Sequence, residues 1–313
     1  MKGIEQARKF YTEVGKKMIA DEFKDYQNRI AVGLAGHGSE CFGFDDEVSC
    51  DHDFEVGFCM WLTREDEEKI GFRLLRAYDK LKEEYALQNG LKNSRQSTAG
   101  ASAQGVYTID DFYRRYTGCD GAPRTWQDWL YTDSLFFAEA TNGEVFRDDL
   151  GEFSNIRNKI LQGMPEDVRA KKIGSLAVNM AQTGQYNYDR CLKHGEDGAA
   201  MLALCEFVKG ACAMAFLLEK KHMPYYKWAF KAMRTLNKFG ELASPLEFLL
   251  TADNDENGKK VKREIVEDVC GAFSKEINEQ FDLGVEGRYL EPFGYAIQKR
   301  IKNAEIRNLH VIL

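Results

Sequence analysis

The sequence predicts an α+β fold, in which a small mixed sheet with flanking helices occupies the first half and a helical domain follows. Apolar residues recur at helical spacing over residues 4–19 and again over residues 64–87. Two short apolar segments, RIAVGLAG (29–36) and HDFEVGFCMWL (52–62), are typical of strands. Beyond about residue 149 the strand signal fades and helical patterns follow one another, which favours two domains with a cleft between them.

The remaining elements follow in chain order. After the helix at 64–87, the small, polar and glycine-rich segment 88–105 is typical of a loop and is a candidate lid. VYTIDDFY (106–113) is interpreted as a short strand that ends in two acids, and TWQDWL (125–130) as the start of a helix. In the second half, apolar periodicity predicts helices at 156–161, 165–182, 198–221, 226–239 and 261–280.

Composition limits the classes of partner. The chain has 313 residues, 44% of them hydrophobic, and a formal charge of −7. Constitutive nucleic-acid binding is therefore not expected, although positive residues are concentrated between Arg190 and Lys238. No apolar run looks long enough to cross a bilayer and no positively charged leader opens the chain, so we expect a cytoplasmic protein without a membrane partner. The eight cysteines form no CxxC pair and are expected to be reduced thiols.

The segment HGSECFGFDDEVSCDHDFEV (37–56) carries the strongest chemical signal. On a strand, Asp51 and Asp53 would project from one face and His52 from the other. Two desolvated carboxylates side by side repel each other, so they are expected to be exposed or neutralised by a cation. Oxygen ligands of this kind suit Mg²⁺, which takes further ligands from water and from substrate phosphates.

Gly38 and Ser39 come before this acidic pair, at the end of a predicted strand. A glycine turn lets backbone amides approach a phosphate, and the start of a following helix would attract an anion. Each signal alone is weak. In this order, and on these elements, they indicate a phosphate-binding turn that faces a metal site.

At these residues the sequence resembles the nucleotidyltransferase superfamily of the DNA polymerase β type, in which a Gly-Ser turn precedes a D-h-D strand. Together with FFAEATNGEVFRDDLGEF (136–153), GQYNYDRC (184–191) and FLLEKKHMPYYKW (216–228), it more closely resembles an uncharacterised bacterial nucleotidyltransferase-like family, domain of unknown function 4037. The resemblance extends to about Leu236.

The resemblance implies that Gly38 and Ser39 hold the β- and γ-phosphates of a nucleoside triphosphate, and that Asp51 and Asp53 bind Mg²⁺, with Mn²⁺ as an alternative. An acceptor hydroxyl would attack the α-phosphate and pyrophosphate would leave. Residues 1–148 would then form a nucleotidyltransferase-like catalytic domain. Residues 149–313 would form a helical domain for substrate or acceptor.

Superfamily members usually supply a third carboxylate from a later strand, and here the candidate strand has no acid in its middle. Either Asp110 completes the set, on the strand face of Val106 and Thr108, or the base is Glu139 from the helical part, as in antibiotic nucleotidyltransferases.

The second half offers further nucleotide-binding candidates. Asn187 and Arg190 would line the cleft opposite the metal site, and Lys227 lies in an aromatic segment suited to a nucleobase or triphosphate.

Three functional hypotheses remain open. The protein could transfer a nucleotide to a small molecule, a protein side chain or an RNA end. It could bind or sense a nucleotide without turnover. It could also be toxin-like and modify tRNA or a partner protein.

Overall fold

In a computed structural model the protein forms two compact units, Met1–Gln162 and Gly163–Leu313. The structure describes residues 2–46, 56–90 and 104–313. The predicted α+β class is confirmed, because the first unit holds a mixed four-stranded sheet with flanking helices and the second consists of helices. The candidate lid lies mainly in residues 91–103, outside the described residues.

The described residues of the first unit form both helices and strands. Two π-helical turns, Tyr11–Gly15 and Glu67–Gly71, join helices into longer stretches, and a short 3₁₀ turn covers Lys24–Tyr26. The strands are β1 (Ala31–Leu34), β2 (Cys59–Leu62), β3 (Gly105–Thr108) and β4 (Glu144–Arg147). The helices are α1 (Gly3–Phe10), α2 (Lys16–Glu22), α3 (Arg64–Asp66), α4 (Phe72–Gln88), α5 (Ile109–Thr117), α6 (Trp126–Tyr131), α7 (Ser134–Thr141) and α8 (Glu152–Leu161).

The sheet has the strand order β3-β2-β1-β4. β1 pairs antiparallel with both β2 and β4, whereas β2 and β3 are parallel. β4 follows an Asn-Gly turn that the sequence analysis did not use. Gly143 in that turn has a φ of 66°, and a Cβ there would lie 1.9 Å from the Leu34 carbonyl oxygen. A glycine is therefore required where the chain enters β4.

The two faces of β2 bury different side chains, as the two-residue period of a strand requires. Phe58, Met60 and Leu62 belong to the hydrophobic core that α1, α2 and α4 help to form. On the other face, Trp61 stacks on Phe153 of α8 with ring centroids 3.9 Å apart. This contact explains why α8 belongs to the first unit, which ends at residue 162, whereas the sequence analysis placed the boundary at 148. The functional roles assigned to the two domains stay predictions.

The second unit contains no strand among its residues, all of which are described. Its helices are α9 (Glu166–Met180), α10 (Tyr188–Lys193), α11 (Asp197–Leu218), α12 (Tyr226–Met233), α13 (Ala243–Thr251), α14 (Glu256–Phe281), α15 (Glu291–Arg300) and α16 (Ala304–Arg307), with a π-helical turn at Ala181–Asn187 and a 3₁₀ turn at Gly240–Leu242. α9 and α15 approach closely at Gly174 and Gly294, where a Cβ on Gly294 would lie 2.6 Å from the Gly174 carbonyl oxygen.

Helix α11 differs from the expectation that no segment is apolar enough to cross a bilayer. Its 22 residues have a hydropathy of 1.8 over the most apolar window, which meets the length and composition of a membrane span. However, 61% of that window is buried inside the protein, and the core helices of globular proteins have the same composition. The helix is therefore weak evidence for a membrane.

Two other elements differ from the predictions. The expected helix 226–239 ends at Met233, because the carboxylate of Glu219 accepts hydrogen bonds from the amides of Asn237, Lys238 and Phe239 at 3.0, 2.8 and 3.2 Å. This tertiary contact holds those amides in a non-helical turn.

The expected strand 106–113 is also shorter. It ends at Thr108, whose side chain caps α5 by accepting a hydrogen bond from the Asp111 amide at 3.0 Å.

Candidate functional site

Four chain segments meet on one side of the sheet, where the ends of its strands lie next to one another. β1 ends there, and β2, β3 and β4 begin there, because Gly33 pairs with Cys59, Cys59 with Gly105 and Leu34 with Glu144. We call this the turn edge. The chain that leaves β1 and the chain that enters β2 therefore meet at the same side of the sheet.

Residues 36–43, here called the glycine turn, leave β1 at the turn edge. Gly36 and Gly38 have φ angles of 116° and 130°, a conformation that L residues with a side chain rarely adopt. Backbone bonds from Phe42 and Phe44 to the Ser39 carbonyl, at 3.2 and 2.9 Å, close the turn. The described residues 39–46 form a turn and an irregular segment, so the helix expected to start after Ser39 is not found among them.

Asn142 fixes the glycine turn to the end of α7. Its side-chain oxygen accepts a hydrogen bond from the Gly36 amide at 2.8 Å, and its amide donates to the Gly36 carbonyl at 2.7 Å. Next along the chain, the His37 amide donates to the hydroxyl of Tyr116 on α5 at 3.2 Å. Within the described part of the chain, the amides of Gly38 and Ser39 donate no hydrogen bond. They are thus available to an anionic ligand.

A histidine and a glutamate meet at the turn. Nδ1 of His37 lies 3.0 Å from Oε1 of Glu139 on α7. The two side chains differ in environment, with 71% of the His37 side chain exposed and 8% of the Glu139 side chain. When the carboxylate is ionised it can only accept, and Nδ1 then carries the proton. The pair thus joins a buried carboxyl group to an exposed ring.

The end of the described segment is also anchored. Asp45 is buried, and its Oδ2 accepts a hydrogen bond from the Gly3 amide at 2.9 Å, at the start of α1. The ammonium of Lys2 contacts the Asp45 carbonyl oxygen. Residues 36 and 45 are therefore both held by the body of the first unit.

Two thiols and a tyrosine near the turn stay neutral at ordinary pH. Burial raises the pKa of the Cys59 thiol to about 12 and raises the pKa of Cys41 well above its usual value. Burial, reinforced by the negative charge of Glu139, also raises the pKa of Tyr116. The thiols are accordingly poor nucleophiles and metal ligands, which need the thiolate. The negative charge at this site therefore comes from carboxylates.

The proposed metal ligands Asp51 and Asp53 lie outside the described residues. Among the described residues, no group of three or more His, Cys, Asp and Glu side chains could hold a metal ion. Carboxylates, phosphate oxygens and water are the ligands that Mg²⁺ prefers, and binding of this ion by Asp51 and Asp53 stays a prediction.

The expectation that Asp110 lies on a strand face with Val106 and Thr108 is wrong. Asp110 is in the first turn of α5, because Thr108 caps that helix. β3 begins at the turn edge and runs away from it, so Asp110 lies at the opposite edge of the sheet. There its carboxylate is 3.6 Å from the guanidinium of Arg64. Asp110 is not placed to complete a carboxylate set at the turn edge.

Glu139 was expected from the helical part, but α7 belongs to the first unit. Its contact with His37 places this carboxylate beside the glycine turn.

The remaining candidates lie in the second unit. Asn187 is half-buried at the end of the π-helical turn before α10. Arg190 is exposed on α10, where it donates to the hydroxyl of Tyr186 at 2.5 Å and lies 5.4 Å from that ring's centroid. Lys227 is exposed on α12, 5.0 Å from the Trp228 ring centroid. Their roles stay predictions.

Residues 129–229 match the model of a family described as "Domain of unknown function (DUF4037)". The predicted resemblance to a family of unknown function is thereby confirmed over these residues. The DUF4037 segment includes Glu139 and Asn142 but not the glycine turn. The comparison with curated proteins gave no match.

A solved structure is also similar. It is a nucleotidyltransferase-like protein from Exiguobacterium sibiricum 255-15, with 9% sequence identity, coverage of 87% of this chain and 80% of that one, and a TM-score of 0.37. So distant a likeness does not assign an activity to this chain.

Sequence reasoning missed the partners that hold the glycine turn. Asn142 and Tyr116 are distant from Gly36 and His37 in the sequence, and no local pattern links them. The Asn-Gly pair at 142–143, followed by the strand-like EVF, is a turn signal that predicts the start of β4. It would have placed Asn142 at a strand end, but not against Gly36.

Proposed function

We propose that the protein is a Mg²⁺-dependent nucleotidyltransferase, which transfers a nucleoside monophosphate from a nucleoside triphosphate to an acceptor hydroxyl. One observation carries the proposal. The Gly-His-Gly-Ser turn is held at the sheet edge where β2 begins, and Asp51 and Asp53 come shortly before β2 in the sequence. A glycine turn beside the start of β2, which the acidic pair precedes in the sequence, supports binding of a metal-bound triphosphate.

Different residues of the chain would bind the phosphates and the metal ion. The amides of Gly38 and Ser39 would donate hydrogen bonds to triphosphate oxygens, as backbone amides in such turns do. Asp51 and Asp53 would hold Mg²⁺, or Mn²⁺ in its place. When bound, the ion would neutralise charge that develops on the phosphates during transfer.

The reaction balances without an oxidant or reductant. A bond forms between the acceptor oxygen and the α-phosphorus, and the bond from that phosphorus to the bridging oxygen breaks. Pyrophosphate takes the electron pair of the broken bond, and the acceptor proton leaves to solvent. The acceptor would be a small metabolite, a protein side chain or an RNA end.

Incubation with each α-³²P-labelled triphosphate, Mg²⁺ and a cell extract tests the proposal. We expect one acceptor fraction to gain label, and the Asp51→Ala/Asp53→Ala variant to lose at least about a hundredfold in rate, as removal of electrostatic stabilisation does in other enzymes. The matched control is Asp21→Ala/Asp25→Ala, which removes the same charge from exposed positions of the first unit. Equal labelling by wild type and Asp51→Ala/Asp53→Ala would contradict the proposal.

A second candidate is a nucleotide-binding or sensing protein without turnover. Within the described residues, β3 carries no acid and Asp110 lies at the edge away from the glycine turn. Calorimetry supports this candidate if Mg²⁺ and triphosphate bind while no acceptor pool releases pyrophosphate. A toxin-like role would instead produce growth arrest on expression, abolished by Asp51→Ala/Asp53→Ala.

A further inference from the structure

We propose that His37 is a cationic contact for the triphosphate, and that Glu139 positions it. The inference rests on the proposed function only for the class of ligand, a metal-bound nucleoside triphosphate. It assigns Glu139 a role other than general base. In this role His37 would touch the ligand and Glu139 would act through His37.

The geometry of the turn supports the contact. His37 lies between Gly36 and Gly38, whose positive φ angles turn the chain sharply on both sides of it. Its amide donates a hydrogen bond to the hydroxyl of Tyr116, and its ring is largely exposed. Gly38 and Ser39, the amides available to an anion, are the next two residues. A phosphate bound by those amides would lie within reach of the His37 ring.

The burial of Glu139 decides its role. With 8% of the side chain exposed and Oε1 at 3.0 Å from Nδ1 of His37, the carboxylate faces the imidazole and not the solvent. A buried carboxylate needs a compensating charge or donor, and an imidazolium supplies both. The hydrogen bond to Glu139 also orients the imidazole ring, so that Nε2 is the nitrogen directed away from the carboxylate. This arrangement resembles the carboxylate–histidine pairs that orient histidines toward metals.

Among the residues that the structure describes, the other charged or titratable groups near His37 come from three elements. α7 supplies Glu139, α5 supplies Tyr116, and the turn itself supplies Glu40 and Cys41. Tyr116 and Cys41 are neutral at ordinary pH because burial raises the pKa of both. Glu40 is negative and its carboxylate lies against Gly38, where a Cβ would be 2.4 Å from Oε1. It would favour the imidazolium but compete with a bound phosphate.

The proposed charge of His37 determines how triphosphate affinity changes with pH. Triphosphate affinity should be highest when His37 is charged and should fall as pH rises through the range in which histidines titrate. The probe is α,β-methylene-ATP with Mg²⁺, which cannot be cleaved at the reacting bond, and binding is measured by calorimetry from pH 5.5 to 9. Inorganic tripolyphosphate in parallel reports the contribution of the phosphates alone.

Three variants separate a charge contact from a structural role. His37→Gln should bind the probe about tenfold more weakly at low pH, the scale of one charge-assisted bond, and should show a smaller pH dependence. His37→Lys keeps a cation throughout this range and should bind tightly with a flat profile. Glu139→Gln keeps an acceptor for Nδ1 but removes the charge, so its affinity should fall at a lower pH than that of the wild type. Circular dichroism verifies that each variant is folded.

The outcomes distinguish this inference from the proposed function. If the wild type binds the probe with the expected profile but transfers no nucleotide, the histidine contact stands and the transferase proposal fails. If the wild type transfers nucleotide while His37→Gln binds with the wild-type profile, the contact is wrong and the transferase proposal stands. Absence of any triphosphate binding by the folded wild type overturns both.

Discussion

Replacing Asn142 with alanine tests whether the glycine turn depends on its anchor. The change removes two hydrogen bonds, of 2.8 and 2.7 Å, to the amide and carbonyl of Gly36, which is buried. A buried polar group left without a partner costs about 1–3 kcal/mol, so two such groups predict a loss of about 2–6 kcal/mol in the free energy of unfolding. Domains typically have an unfolding free energy of about 5–15 kcal/mol, so we expect the variant to fold with reduced stability.

Urea unfolding followed by circular dichroism measures the loss, and calorimetry with α,β-methylene-ATP measures its effect on binding. Because the turn would lose its fixed position, we expect weaker binding by the variant at every pH. Asn155→Ala is the matched control, since it makes the same change at an exposed position on α8. A stability loss below about 0.5 kcal/mol, the size of an ordinary surface substitution, would refute the reasoning.

Three more predictions concern individual charges. Asp110→Ala should leave nucleotide transfer unchanged in the labelling assay, because the carboxylate lies at the edge of the sheet away from the glycine turn. A large loss of transfer rate would show that Asp110 takes part in the reaction. Glu40→Gln should strengthen binding of tripolyphosphate in calorimetry, because it removes a negative charge beside Gly38. Weaker binding would contradict the idea that the Glu40 carboxylate competes with a bound phosphate. Burial lowers the pKa of Lys171 from 10.5 to about 8. The unfolded chain then holds this proton more tightly, so stability due to Lys171 is gained as pH rises from 8 to 10.5. The unfolding free energy of wild type minus that of Lys171→Met should increase by about 3 kcal/mol across that interval, and a constant difference in urea titrations would disprove it.

Local patterns predicted most of the helices and the first two strands. Apolar periodicity identified the helical stretch from α1 to α2 because one face of it is buried, and the paired short apolar segments identified β1 and β2. β3 was overextended because Thr108 and Asp111 were interpreted as strand residues, although Thr-x-x-Asp before apolar residues is a capping signal. That single error also placed Asp110 on a strand face with Val106 and Thr108.

The candidate site was only partly predictable. Gly38 and Ser39 follow β1 as expected, because glycine is required where φ is positive. The partners of the turn are set by tertiary packing of α5 and α7 against it, and no spacing in the sequence encodes such a contact. No sequence pattern pairs His37 with Glu139, and the 3.0 Å contact between them is what changes the interpretation of Glu139.

The anchor of the glycine turn has a consequence for synthesis of the protein. Asn142 and Gly36 are 106 residues apart in the chain. During translation at about 5–20 residues per second, the turn therefore stays unanchored for several seconds after it leaves the ribosome. A nascent chain shorter than about 150 residues lacks the contact and should not retain a nucleotide. Binding competence would thus arise late, once the first unit is complete.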